Sequence, residues 1–393
     1  MSTSWSELVI WGCLALAAAP LLYLGLTTLA ALLPRRDLPT GKSPQRIAII
    51  IPAHNECLLI EDTVTKALAL NYPRTAFTVL VIADNCTDDT AALARAAGAR
   101  VLERQGNPGK GQGLNDALKL LLEESWGAFL VLDADSHLHP DTLRALDGAL
   151  AAGAAAVQIR YGVLNPKDSL RTRAMELSTA SFNALRPRGK TRLGLSAGIN
   201  GNGFCLTRET VLQVPYLAHS IVEDIEYHIL LLRAGLRVGF LDHVWVKAQM
   251  PIGGRGAQVQ RVRWERGRVI TIRNCAPQLL RDLLRGHSHA LDGLIDVLMP
   301  PVSLVFLLLL PPLIWGSAWA RGLAIGGVAL LAAHYLLAAW RYASLASALL
   351  LVAYIPWYLV WKTWVVLRSL ATERNLPWIR TDRHKPNLPS GDA

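Results

Sequence analysis

Long apolar tracts at the two ends of the chain enclose a middle stretch in which short apolar runs alternate with polar and helix-like segments. Residues 8–33 form an almost uninterrupted apolar run. It is longer than the core of a cleavable signal peptide and no basic stretch precedes it, which predicts a retained membrane helix. Arg35, Arg36, Lys42 and Arg46 follow it and put the amino end outside and the next segment in the cytoplasm. A cleaved signal peptide is the competing reading. Beyond Asp296 lie three more apolar tracts, 297–319, 322–340 and 344–367, separated by Arg321 and Arg341. Each is about long enough to span. Three crossings would leave the tail outside, whereas Arg368, Arg374, Arg380, Arg383 and Lys385 favour an inside tail, so one tract is expected not to cross. Pro300-Pro301 and Pro311-Pro312 mark the first tract for that role, and Pro356 with Lys362 marks the last.

Between these ends, apolar runs at 47–51, 77–82, 129–132, 156–159 and 238–241 read as strands, and helical patterns separate them over the first half. That is the signature of an α/β domain with a largely parallel sheet covered by helices on both faces. Ligands of such sheets bind at the carboxyl ends of the strands. Polar clusters fall there: His54-Asn55-Glu56 after the first run, Asp84-Asn85 after the second, and Asp133-Ala134-Asp135 after the third.

Composition agrees with a soluble domain joined to membrane helices. At 52% hydrophobic and 18% charged the chain is too apolar for an ordinary soluble protein and too charged for an all-membrane one. The net charge is +10, with arginines crowded into 160–290. No aromatic-interleaved basic module accompanies them, so membrane lipids and a nucleotide diphosphate are the expected anionic partners and nucleic acid is not. Five scattered cysteines without a C-x-x-C pair give neither a disulfide framework nor a zinc site.

Four segments carry candidate chemistry. Asp133 and Asp135, two apart at a strand end, project to the same side and could hold Mg²⁺ or Mn²⁺ against a diphosphate. A solvated turn is the alternative. Glu223 and Asp224 open a helical stretch, 223–233, as a base for proton abstraction or as acids complementing the helix dipole. The glycine-rich 196–203, with Gly201, Asn202 and Gly203, permits close approach of a ligand or makes an ordinary turn. Gln260, Arg263 and Trp264 share one helical face, offering an amide, a guanidinium for a diphosphate and an indole plate for a sugar ring. An amphipathic helix at a membrane surface would look the same. Lys110, between Gly109 and Gly111, is expected in a flexible loop within reach of a phosphate or base, with a plain solvated lysine as the alternative. His137 and His139 read as loop residues, and Asn85, Thr87 and Asp88 as turn and cap residues.

The segments 50–56, 81–90, 109–111, 132–135, 223–224 and 260–264 occur in the order seen in family 2 glycosyltransferases. Together they resemble the cellulose, hyaluronan and chitin-oligosaccharide synthase branch over about 45–290. The resemblance implies a GT-A fold, a UDP-sugar donor, Mg²⁺ or Mn²⁺ and an inverting mechanism. It makes Asp135 the metal ligand with Asp133 assisting, Asp224 the base with Glu223 beside it, and His54, Asn55, Glu56, Asp84, Lys110, Gln260 and Arg263 donor-binding. Trp264 and the loop at Gly201, Asn202 and Gly203 would carry the acceptor. Two departures stand out: Ala83 precedes Asp84 where two acids are usual, which weakens the inference on nucleobase selectivity, and Val222 stands where a Thr is usual.

The expected organisation is an anchor over 1–35, a GT-A domain over 45–255, the Q-x-x-R-W segment and interface helices over 256–294, transmembrane or re-entrant helices over 295–368, and a basic tail over 369–393. The expected activity is sugar transfer to a growing β-linked polysaccharide at the plasma (inner) membrane, with the catalytic domain cytoplasmic. Single transfer to a lipid acceptor is the rival, since a polymer channel needs more walls than this monomer supplies unless it forms a homo-oligomer or joins export subunits. A non-catalytic assembly subunit is the alternative from another class, and the intact Asp133, Asp135, Asp224 and Trp264 speak against it.

Overall fold

A computed structural model describes residues 5–34, 44–217, 222–252 and 255–349, with side chains from 266 onward in the last stretch. The strands are β1 (Ile47–Ala53), β2 (Phe77–Asp84), β3 (Arg100–Arg104), β4 (Ala128–Val131), β5 (Ser136–Leu138), β6 (Ala156–Val163), β7 (Phe204–Thr207) and β8 (Val238–Ala248). They form one sheet in the order β3-β2-β1-β4-β7-β6-β8-β5. β3, β2, β1 and β4 run parallel, whereas β7 is antiparallel to both β4 and β6, and β5 is antiparallel to β8. The sheet is therefore mixed where the apolar runs alone suggested a parallel one. The reversal begins at β7, which directly follows the glycine-rich loop.

Alternation along the central strands sorts side chains onto two faces. Ile47, Ile49, Ile51, Val79, Val81 and Leu130 pack into one core with Ile60, Val64 and Leu143 from helices. Ala48, Ile50, Leu80, Ile82, Phe129 and Val131 pack into the other with Leu114, Leu118 and Leu231. Burial on both faces is why these strands read as continuous apolar runs.

Two helices, Trp5–Ala31 and Ala318–Tyr342, are each long and apolar enough to cross a membrane. His289–Leu298 and Val302–Trp315 pass that test only as a pair, and they are bent by 70°. The bend falls at Pro300-Pro301, which cannot continue the first helix's hydrogen bonding. Although far apart in sequence, the terminal helices pack together through Ala17, Leu24, Val305, Leu309, Ala324 and Leu331. The tract 344–367 beyond residue 349 and the basic tail lie outside the described residues.

Polar contacts fasten this helical layer to the sheet domain. His334, fully buried in Ala318–Tyr342, bonds Thr28 Oγ1 at 2.7 Å and Ser181 Oγ at 2.8 Å. A short helix, Arg186–Arg192, crosses the anchor so closely that a Cβ on Gly189 would overlap the Thr27 carbonyl. On the same helix Arg188 donates to the carbonyls of Ala31 at 2.6 Å and Leu33 at 2.8 Å. Lys190, fully buried, pairs with Asp292 at 3.0 Å and with Asp296.

Candidate active site

The site forms where β4 ends, the glycine-rich loop turns and the helix Glu223–Arg233 begins. Asp133 and Asp135 lie in the turn between β4 and β5, both half-buried. The backbone N–H of Asp133 donates to Asn202 Oδ1 at 3.0 Å, and Asp135 Oδ1 accepts from Ser136 Oγ at 3.0 Å. Asn202 also donates through Nδ2 to Ser136 Oγ at 2.8 Å, so its side chain braces the carboxylate turn. Gly203 has φ +68°, and a Cβ there would overlap Val246 of β8, so both backbone and space call for glycine.

Lys110 opens the helix Lys110–Leu122 rather than lying in a flexible loop, because Gly109, at φ 148°, ends the loop one residue earlier. Its ammonium donates to Asp133 Oδ1 at 2.5 Å and to the carbonyl of Gly201 at 2.6 Å. Gly201 in turn abuts the base candidate: a Cβ built on it would lie 3.2 Å from Asp224 Oδ2. One cation thus ties together the carboxylate turn, the glycine loop and the head of the helix carrying Glu223 and Asp224.

The electrostatics follow from that crowding. Burial pushes the Glu223 carboxyl up to about 7, against the pull of Lys110 and with the push of neighbouring Asp224. Burial also raises Asp224, opposed by its hydrogen bond from the Ile225 N–H and by Lys110. For Lys110 burial works against the charge, but Asp133 and Glu223 outweigh it and hold its pKa above the ordinary value. The rise at Asp224 is in the direction a general base needs.

At the other end, Asp84 closes β2 with both oxygens engaged. Oδ1 accepts from Arg104 at 2.5 Å and Asn85 Nδ2 at 2.8 Å, and Oδ2 from the Gly109 N–H at 3.0 Å. Its backbone carbonyl meets His54 Nδ1 at 2.7 Å. Asn55 accepts from the Thr87 N–H at 2.8 Å, and the backbone N–H of buried Glu56 donates to Thr90 Oγ1 at 2.8 Å. Asp88 accepts from the N–H groups of Thr90 at 3.0 Å and Cys57 at 3.2 Å, the turn role expected of it. His137 lies on β5 rather than in a loop and bonds Asp62 at 2.7 Å, while His139 packs edge-on against Trp245.

Gln260, Arg263 and Trp264 fall on the helix Arg255–Leu284, and their side chains lie outside the described residues. Among the described residues no group of three His, Cys, Asp or Glu side chains converges as a metal cage. Two hard carboxylates in one turn are nevertheless the donor set of a Mg²⁺ or Mn²⁺ that takes its remaining ligands from substrate phosphate and water.

Two residues of the site escaped sequence reading. Arg104 holds Asp84. Gln158, fully buried in β6, donates to the carbonyls of Asn202 at 2.8 Å and Gly203 at 3.2 Å and accepts from the Asn200 N–H at 2.9 Å, so it shapes the glycine loop. A polar residue inside an apolar run was the available signal. Ser196, at the head of the glycine-rich segment, anchors it: its N–H donates to Asp292 at 2.6 Å, and its Oγ bonds His228 Nε2 at 2.9 Å and accepts from the Val238 N–H at 2.9 Å.

Residues 44–267 match the family model described as glycosyltransferase like family 2. The probable glycosyltransferase YdaM of Bacillus subtilis is 27% identical over 236 residues, 58% of this chain and 56% of that protein. The poly-beta-1,6-N-acetyl-D-glucosamine synthase of Staphylococcus aureus is 27% identical over 234 residues, 56% of this chain and 54% of the relative. The chain therefore spans about half the length of these relatives. Among solved structures, the mannosyltransferase PcManGT from Pyrobaculum calidifontis, in complex with GDP-Man and Mn²⁺, superposes with a TM-score of 0.55. That likeness covers 93% of this chain and 96% of the other at 19% identity, which speaks to the fold alone.

Proposed function

The chain belongs to the glycosyltransferase like family 2 and has the GT-A fold, and from that premise we propose that it is an inverting, UDP-sugar-dependent hexosyltransferase of a bacterial-type plasma membrane. The observation that carries this reading is the Lys110 bridge, which sets Asp133 and the Gly201 carbonyl on one ammonium beside Asp224. Asp224 removes the proton of the acceptor hydroxyl as that oxygen attacks the sugar's anomeric carbon from the side opposite the diphosphate. Glu223 shares the pocket's negative charge and keeps the proton affinity of the pair high. Asp133 and Asp135 would hold Mg²⁺ or Mn²⁺, which would supply charge neutralisation of the leaving diphosphate. Lys110 adds a fixed positive charge on the same side. His54, Asn55, Glu56 and Asp84 form the nucleoside end, with Arg104 fixing Asp84. Gln260 and Arg263 are assigned to the diphosphate and Trp264 to the acceptor ring.

The similarity to a poly-beta-1,6-N-acetyl-D-glucosamine synthase supports a growing β-linked polysaccharide as acceptor. A second reading, single transfer to a lipid, is favoured by the direct packing of the anchor against Val302–Trp315 and Ala318–Tyr342, which fills the space between these helices with side chains. The test is to supply the full chain in vesicles with a panel of labelled UDP-sugars and separate butanol-soluble lipid from polymer. Incorporation that needs Mg²⁺ or Mn²⁺ and is lost in Asp224→Asn is expected. No transfer from any UDP-sugar would refute the donor assignment, and a single butanol-soluble product would select the lipid reading.

A further inference from the structure

A polar crevice opens where the sheet meets the membrane-facing helices, lined by Arg160, Gly162, Glu176, Thr179, Lys247 and Tyr342. Arg160 and Lys247 stand on the neighbouring parallel strands β6 and β8. Gly162, the register partner of Lys247, leaves room beside it: a Cβ there would already sit 3.5 Å from Lys247 Cγ. Arg160 donates through Nε to the Asp242 carbonyl at 3.1 Å, and its guanidinium lies 5.3 Å from the Tyr342 ring centre. Lys247 Nζ lies 4.6 Å from the Trp245 ring centre. Neither cation, nor the carboxylate of Glu176, forms an ion pair among the described residues.

That arrangement is costly for a protein interior. Burial lowers the pKa of Arg160 and of Lys247 and raises that of Glu176, so all three charges are partly desolvated, and the attraction of Lys247 for Glu176 and of Asp242 for Arg160 offsets only part of the loss. The surrounding field is positive, since Arg173 and Lys167 also act on Glu176, and Arg341 lies 5.7 Å from the Tyr342 ring centre. Position narrows the ligand further. Tyr342 ends Ala318–Tyr342, one of the two helices able to cross a membrane, so the crevice stands at the depth where lipid headgroups lie.

We propose that this crevice binds the phosphate of an anionic lipid headgroup, with Arg160 and Lys247 on its oxygens and Glu176 accepting from a headgroup hydroxyl. A guanidinium and an ammonium on adjacent strands suit phosphate oxygens, and one carboxylate selects a hydroxylated headgroup over a bare anion. The occupied site would also bear on the carboxylate turn, because Gln249 follows the end of β8 two residues after Lys247 and its N–H reaches the Asp135 carbonyl at 3.3 Å. This site goes beyond sugar transfer and does not depend on it.

The experiment reads lipid retention, not activity. The purified full chain is exchanged into detergent with phosphatidylglycerol or phosphatidylcholine, and bound lipid is counted by native mass spectrometry with and without inorganic phosphate. Preferential retention of phosphatidylglycerol is expected, cut roughly tenfold in Lys247→Gln and in Arg160→Gln, the scale of one lost charge-assisted hydrogen bond. Glu176→Gln keeps an acceptor oxygen for the headgroup hydroxyl and removes a negative charge beside the phosphate, so it should retain more, which separates loss of the site from loss of folding. Equal retention of the two lipids would overturn the proposal, as would loss in Glu176→Gln matching that in Lys247→Gln. Displacement of the lipid by an equal concentration of inorganic phosphate would overturn the lipid source and leave a soluble phosphate site.

Discussion

Gly201→Ala isolates the geometry of the proposed base from the stability of the fold. Gly201 has φ +70°, a left-handed conformation that costs an L-residue about 1–2 kcal/mol. The new methyl carbon would also lie 3.2 Å from Asp224 Oδ2, so the carboxylate must retreat by a few tenths of an ångström. A misplacement of about 1 Å at a reacting group costs on the order of a hundredfold in rate, so a few tenths correspond to roughly three- to tenfold. Gly153 supplies the control. It has φ +87° and open space where a Cβ would go, so Gly153→Ala carries a similar backbone cost with no neighbour to displace. Both variants should lower the apparent melting temperature of the detergent-solubilised chain by roughly 2–8 °C. Only Gly201→Ala should slow sugar transfer, with UDP affinity unchanged. Equal rates in the two variants would refute the placement of Asp224 against the glycine loop as a catalytic contact.

Asp224→Asn should keep UDP binding, measured by calorimetry, while turnover falls at least about a hundredfold; near-normal turnover removes Asp224 from the mechanism. Lys190→Met leaves Asp292 and Asp296 without the ammonium that joins them, and denaturant unfolding should show a loss of about 3–5 kcal/mol; a change below about 1 kcal/mol would mean that Arg186, which pairs with Asp296 at 3.3 Å, compensates the loss. His228, buried and bonded to Ser196, is pushed down to about 4 by burial, below the ordinary imidazole value. The unfolded chain therefore binds the extra proton first, and this contribution to stability, up to about 3 kcal/mol, is whole above pH ~6.5 and lost as pH falls toward ~4. His228→Gln should flatten the melting temperature across that window, and an unchanged slope would assign the acid sensitivity to other groups.

The parts legible in the sequence are those that repeat one physical demand over several neighbours. β1, β2, β4, β6 and β8 each bury apolar side chains in a run, and Pro300-Pro301 marks the bend because no other residue breaks a helix so locally. β3 reads Arg-Val-Leu-Glu-Arg, an edge strand with too little apolar character to register, and β5 has only three residues. The carboxylates at strand ends stood out because two acids follow an apolar run. What ties them together did not: Lys110 bonds residues 23 and 91 positions away, and Ser196 bonds one 96 positions away. Such single long-range contacts leave no periodicity, and Asp84 shows the effect, since nothing around it announces that Arg104 holds its carboxylate.

The crossing at Gly189 has a practical consequence for anyone who handles this protein. The amino-terminal helix is a wall of the sheet domain, because Gly189 rests on the Thr27 backbone and Arg188, which also pairs with Asp242, donates to the Ala31 and Leu33 carbonyls. A truncated fragment starting near residue 44 would expose a bare glycine face and leave a buried guanidinium facing solvent-filled space. Shortening or swapping the amino-terminal helix is then a change to the enzyme's interior, and its sequence is constrained along the Thr27 to Leu33 edge rather than by greasiness alone.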